Sequence, residues 1–224
     1  MNIRIIIIAL VSLLTFSSCG NGYQIEGTSS VSNLDGKMLF VKVFNGKEMV
    51  KVDSAEVIHG FFQMKGKIDS TAIASLYMDD LNLMLLVMEK GNIQIRIDNT
   101  CFIASGTPLN NRLYEFVVRK NALEDRAYEV ERMESRMIMD GKPEEEIEEE
   151  MAKERASVAD DYDKLLKEFI QANYSNVLGP AVFRMMRNGY ASPKATSLME
   201  QILNEAPESF RNHSMVKSLV DASK

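Results

Sequence analysis

The sequence predicts an α+β fold: an N-terminal antiparallel β-sandwich or barrel-like domain, followed by a long antiparallel helical hairpin and short helices. Three observations predict it. Residues 23–104 alternate apolar and polar positions and turn every roughly 8–12 residues, the cadence of short strands. Leu109, Phe116, Leu123, Val130 and Met137 then recur every seven residues, a helical register. Asp140-Gly141-Lys142-Pro143 breaks that register before a second periodic run begins.

The strands are expected in this order. Residues 23–28 open the domain, and residues 37–44 follow with Leu39, Val41 and Val43 on one face. Asn45-Gly46 suits a type I′ hairpin turn, because both residue types tolerate positive φ. Residues 48–58 return, and His59-Gly60 is a second tight turn. Residues 61–68 place Phe62, Met64, Gly66 and Ile68 on one face. Runs at 71–78 and 83–89 precede the turn Lys90-Gly91-Asn92. In the next strand Ile93, Ile95 and Ile97 alternate with Gln94 and Arg96, and residues 101–104 add a last short strand.

Thr107 is placed to cap the first long helix, with Pro108 at its first position. Leu113, Ala127 and Met133 fill in between the heptad positions. The second helix starts at Pro143 and carries Ile147, Met151, Val158, Tyr162, Leu165, Phe169 and Ile170. Matching heptads joined by a four-residue turn predict an antiparallel pair. The acids from Glu144 to Glu150 complement the helix dipole, and Glu149–Lys153 is a favourable i,i+4 spacing. Ser175 or Asn176 caps a helix ended by Gly189, and Ser192-Pro193 opens another with Leu198, Met199, Ile202 and Leu203. A turn at 207–210 leads to a last helix from Ser214 carrying Met215, Val216, Leu219 and Val220.

The extreme N-terminus reads differently. Arg4 precedes an apolar run from Ile5 to Phe16, and Ser17-Ser18 precede Cys19. This is the order of a secretory signal, and the run is too short to span a bilayer. Leu13-Leu14-Thr15-Phe16-Ser17-Ser18-Cys19 resembles a lipobox, so Cys19 is the expected lipidation site. Ordinary cleavage with an unrelated Cys19 is the alternative. The expected domains are a signal peptide at 1–18, the β domain at 19–106 and the helical segment at 107–224.

A net charge of −6 argues against nucleic acid as a partner and against electrostatic attraction to anionic lipid. The membrane is therefore expected to hold the chain through acyl groups on Cys19. Localisation follows: the cell envelope, lipid-anchored to the inner or outer membrane, with the domain facing the periplasm or the cell surface. Of the two cysteines, Cys101 is left as a free thiol once Cys19 is lipidated, and the flank Phe102-Ile103-Ala104 favours its burial. There is no C-x-x-C, no G-x-S-x-G and no phosphate-binding glycine loop. His59 and His213 both fall at turns, and no catalytic residue, cofactor or metal site is assigned. Of the fifteen methionines, Met133, Met137, Met139, Met151, Met185, Met186, Met199 and Met215 fall in the helical segment, where their spacing favours a core role. Asp53-Ser54, inside a strand, reads as a pair that satisfies backbone groups or makes a bulge.

Five segments together have a recognisable cadence. They are Tyr23-Gln24-Ile25-Glu26-Gly27, Lys51-Val52-Asp53-Ser54-Ala55, Gly60-Phe61-Phe62-Gln63-Met64-Lys65-Gly66, Val87-Met88-Glu89-Lys90-Gly91-Asn92-Ile93 and Ser105-Gly106-Thr107-Pro108-Leu109-Asn110. This resembles the N-terminal domain of unknown function that precedes the thioredoxin-like domain in TlpA-like thiol:disulfide interchange lipoproteins. In that family the redox C-x-x-C lies in the following domain, which has no counterpart up to Lys224, so no redox residue carries over. The resemblance implies an accessory module acting alone.

The expected function is a non-catalytic binding or docking module of the envelope, associated with thiol–disulfide exchange and contacting an envelope protein. The alternative is a redox helper that forms a mixed disulfide through Cys101 with a separate thioredoxin-like protein. A carbohydrate or peptide binder on the sandwich face would need an exposed aromatic platform, and the chain has no Trp.

Overall fold

The computed structural model describes residues 22–45, 48–189 and 193–221. Cys19, the signal segment, Gly46 of the first hairpin turn and Ser192 lie outside the described residues. The strands are β1 (Gly22–Ser29), β2 (Met38–Phe44), β3 (Met49–Glu56), β4 (Phe61–Lys67), β5 (Ala72–Met78), β6 (Leu81–Met88), β7 (Gly91–Ile97) and β8 (Phe102–Ser105). They form two four-stranded sheets, in the order β4-β1-β7-β8 and β3-β2-β5-β6. Pairing is antiparallel except between β1 and β7, which run parallel. That exception corrects the wholly antiparallel expectation: β7 arrives from the other sheet and lies along β1 in the same direction.

The His59-Gly60 turn forms with φ of 52° and 75°, the double left-handed geometry of a type I′ turn. It passes the chain from β3 in the second sheet to β4 in the first. Gly27 is required inside the sandwich, where an added Cβ would run into the Phe62 ring. Of the inward positions read from alternation, Leu39, Val41, Phe62, Met64, Ile93, Ile95 and Ile97 are buried, and Val43, Gly66 and Ile68 are partly covered. Ile25, Leu39, Val41, Met64, Leu76, Leu86, Ile93 and Ile97 are buried between the sheets. Burial stabilises by about 1.5–3 kcal/mol per side chain of this size.

The helices are α1 (Pro108–Met139), α2 (Glu144–Ala172), α3 (Leu178–Gly189), α4 (Pro193–Glu205), α5 (Glu208–Arg211) and α6 (Ser214–Asp221). Residues 207–210, expected as a turn, wind into the one-turn helix α5. Leu113, Tyr114 and Leu178 join the sandwich core, so the base of the hairpin is embedded in the β layer. A second core forms around Phe116, Leu165, Ile170, Phe183, Met186 and Phe210. A third, smaller cluster holds the distal hairpin through Val130, Met137, Ile147, Met151 and Val158.

The break between α1 and α2 is a Schellman motif. Gly141 takes φ 73°, its N–H donates to the Ile138 carbonyl, and the Lys142 N–H donates to the Met137 carbonyl. Two local expectations fail here. Glu149 and Lys153 do not pair; Lys142 instead reaches Glu146 and Glu150, at 2.8 and 3.1 Å. Met139 is not core, being 80% exposed at the tip. Further on, Asn176 and not Ser175 caps α3, accepting from the Leu178 N–H at 2.9 Å. His213 caps α6 through Nδ1, which accepts from the Met215 N–H at 3.3 Å.

Candidate functional site

A cleft of about 1030 Å³ lies over the outer face of the first sheet. Strand register explains its floor, because outward residues on paired strands line up in rows across the sheet. One row is Gln63, Glu26, Gln94 and Ser105. The next is Phe61, Thr28, Arg96 and Ile103. Ser54, Glu56 and Ile58 rise beside them as a wall. Phe61 is 65% exposed, since its neighbour Phe62 takes the inward position.

The charged side chains lining the cleft are Glu26, Glu56 and Arg96, and Glu56 is exposed with no ion pair among the described residues. Both oxygens of Glu26 are engaged, by Gln24 Nε2 at 2.6 Å and Asn92 Nδ2 at 3.2 Å. Arg96 leans towards Asp98, 3.8 Å away. The side-chain amides of Gln63 and Gln94, flanking Glu26, have no hydrogen-bond partner among the described residues. Such a surface offers neutral donors and acceptors beside an aromatic ring.

Cys101 sits in the turn between β7 and β8. Its expected burial is not found: the side chain is only partly covered and the thiol is free. The turn turns Cys101 towards Asp98 rather than inward, which defeats the apolar flank. Its thiol donates to Asp98 Oδ2 at 3.2 Å, and Arg96 Nη2 approaches the sulfur at 3.6 Å. The Asp98 carboxylate also accepts the Thr100 and Cys101 backbone N–H groups, at 2.9 and 2.7 Å. These bonds, led by the Thr100 N–H, hold its pKa well below the usual carboxylate range.

Asp53 does have a partner that the sequence reading missed. Tyr23 Oη donates to Asp53 Oδ2 at 2.7 Å, joining the two sheets, while Asp53 Oδ1 accepts from the Ser54 N–H. Burial, with Asp53 adding to it, pushes the Tyr23 phenol far above its ordinary value. A bulge lies opposite, between Val41 and Lys42. Asp53-Ser54 is therefore a structural pair.

The last two quoted segments meet in a buried polar clamp. Thr107 does not cap α1 as expected; its Oγ1 accepts from Asn110 Nδ2 at 2.8 Å. The cap comes from Glu89, at the end of β6, whose Oε1 accepts the Leu109 and Asn110 N–H groups at 2.8 and 3.0 Å. An anionic oxygen there also complements the helix dipole. Asn110 spans onward to β6, accepting from the Val87 N–H at 2.9 Å and donating to its carbonyl at 2.8 Å. The glycines fit this junction: Gly106, at φ 89°, lies so close to the Asn92 carbonyl that a Cβ would meet it at 2.5 Å. The segments thus build an interlock between sandwich and hairpin, and not a reaction centre.

His59 is exposed on its turn. Among the described residues no three of His, Cys, Asp and Glu converge as a metal site needs, and no helix is long and apolar enough to cross a membrane. The cleft residues were missed because they come from five strands. A partial signal existed: adjacent Phe61 and Phe62 in an alternating strand oblige one ring to face out.

Residues 23–113 match the family model described as a domain of unknown function (DUF4369). The matched span takes in the sandwich, the cleft and the clamp, and ends at Leu113, where α1 meets the sandwich core. No curated protein and no solved structure matches the chain.

Proposed function

We propose that the chain is an envelope lipoprotein, tethered to the inner or outer membrane through lipidated Cys19, that serves as a non-catalytic binding or docking module. The observation that supports this best is the distal helical hairpin. With 32 residues, α1 is about 48 Å long, so the arm reaches well past its embedded base. Its own small core stiffens it, and ion pairs lace the outside, Arg155 with Glu131 and Glu134, and Arg126 with Glu154 and Asp161. At the tip the adjacent Ile138 and Met139 are 61% and 80% exposed. A stiff arm with an apolar end is suited to contact with an envelope protein, and the TlpA-like resemblance favours a partner from thiol–disulfide exchange.

The test is gentle solubilisation of the native envelope, capture through a C-terminal tag, and identification of what copurifies after thiols are trapped. Wild type should bring one stoichiometric protein, and I138D/M139D should lose it at unchanged thermal stability. Recovery of the protein alone from both would sink the reading.

The partial exposure of Cys101 favours a second reading, the redox helper. Its sulfur, after losing its proton to solvent, would attack a partner's disulfide and release the partner's other sulfur as a thiolate. If Cys101 in the folded protein resists alkylating reagents, that reading is removed.

A further inference from the structure

We propose that the end of the sandwich where β1 begins is a membrane-facing surface resting on lipid headgroups, and that the helical arm points away from that membrane. This deepens the docking reading and rests on the lipidation of Cys19. Only Gly20 and Asn21 separate Cys19 from Gly22, and three Cα–Cα steps span at most about 11 Å. Gly22 and Tyr23 are already fixed in the first sheet, opposite Lys67 and Gly91. The backbone of an acylated Cys19 lies at the headgroup level, so the start of β1 is held within about 11 Å of it.

Strand pairing gathers other segments at the same end. β4 finishes at Lys67, and the chain enters β5 at Ala72, opposite Met88 of β6. Glu89 and Lys90 lead on to Gly91, beside Tyr23. Val43 lies opposite both Ala74 and Val50, which brings the β2–β3 hairpin, with Phe44 and Met49, to this end as well. Among the described residues of these connections, the exposed Lys67 and Lys90 offset the exposed Glu48 and Asp69. Phe44, Met49 and Val50 are exposed apolar side chains. Although the chain as a whole carries −6, this end therefore meets headgroups without net repulsion, and its apolar side chains suit the interface.

The arm starts at this end and leaves it. Glu89 caps the first turn of α1, and Asn110 holds Val87. One helical turn on, Tyr114 Oη donates to the Leu85 carbonyl at 2.8 Å, two residues further from the tether along β6. The 8 residues of β6 cover about 27 Å, whereas the 32 of α1 cover about 48 Å, so the arm passes the far end of the sheets. The distal cluster around Val130, Met137 and Met151 accordingly includes no sandwich residue. Ile138 and Met139 are thus presented to a partner well clear of the lipid.

The experiment reconstitutes the acylated full chain, with Cys101→Ser, in phosphatidylcholine vesicles that carry a nitroxide on part of the headgroups. A fluorophore is attached at Asp69→Cys, between β4 and β5, or at Met139→Cys, at the tip; Lys67→Cys is the second site at the tethered end should Asp69→Cys fail to fold. Intact mass establishes whether Cys19 is acylated in each preparation. The expected result is that the probe at the tethered end loses most of its emission and the tip probe loses none. On acylated protein, equal quenching at both sites, quenching at the tip alone or quenching at neither overturns the proposal. Unacylated Cys19 is a separate outcome: it removes the tether, and the lipoprotein reading falls together with this orientation.

Discussion

Asn110 is wholly buried and ties the end of β6 to the start of α1 with one side chain. Asn110→Ala strands the Val87 N–H and carbonyl away from water, and buried polar groups without partners cost about 1–3 kcal/mol each. Urea unfolding should therefore show a loss of about 2–4 kcal/mol, with the sandwich and hairpin both affected. A change below about 0.5 kcal/mol would show that water repairs the clamp. Asp98 makes the second residue-scale prediction. Its folded pKa lies below its unfolded value, so the order it confers is complete above about pH 4 and is lost as pH falls towards the folded value. Protection of the Thr100 and Cys101 amides, relative to their intrinsic exchange rates, should fall below about pH 4 while β5 and β6 keep theirs; protection that does not change with pH would contradict it.

At the scale of elements, the hairpin depends on its bend. Gly141 holds a left-handed φ that closes two hydrogen bonds onto α1. Nothing crowds its Cβ position, so the strain of a substitution there is purely conformational. Gly141→Ala should lower stability by about 1 kcal/mol, measured in denaturant, without changing helix content by circular dichroism. The ion pairs along the arm are exposed, and each contributes about 0–1 kcal/mol, so the apolar cluster and not the charges keeps the helices together. Heptad spacing made this pairing legible, because it reports one helix face directly. Capping was less legible: Thr107 suits an N-cap by type, yet Glu89 from a distant strand reaches the helix end first.

For the whole molecule, stability is expected to be graded. Two larger cores share the helical base, whereas the distal hairpin rests on a small cluster. Native-state hydrogen exchange should open the segment around Val130 and Met151 before the segments around Phe183 and Ile95, since local opening tracks the apolar contacts a segment holds. Equal protection throughout would mean that the arm folds as one unit with the sandwich.

The sequence by itself determined the α+β order, the inward faces of β2, β4 and β7 and the antiparallel helical pair. These rest on periodicity and turn chemistry, which act between residues close in the chain. Tertiary structure alone decided the parallel β1–β7 pair, the exposed turn around Cys101, the Tyr23–Asp53 bond and the cleft. Each depends on segments far apart in sequence: Gln63, Glu26 and Gln94 become neighbours only when three strands adopt one register. Local pattern says which face a side chain occupies, and only the folded sheet says which other side chains share that face with it.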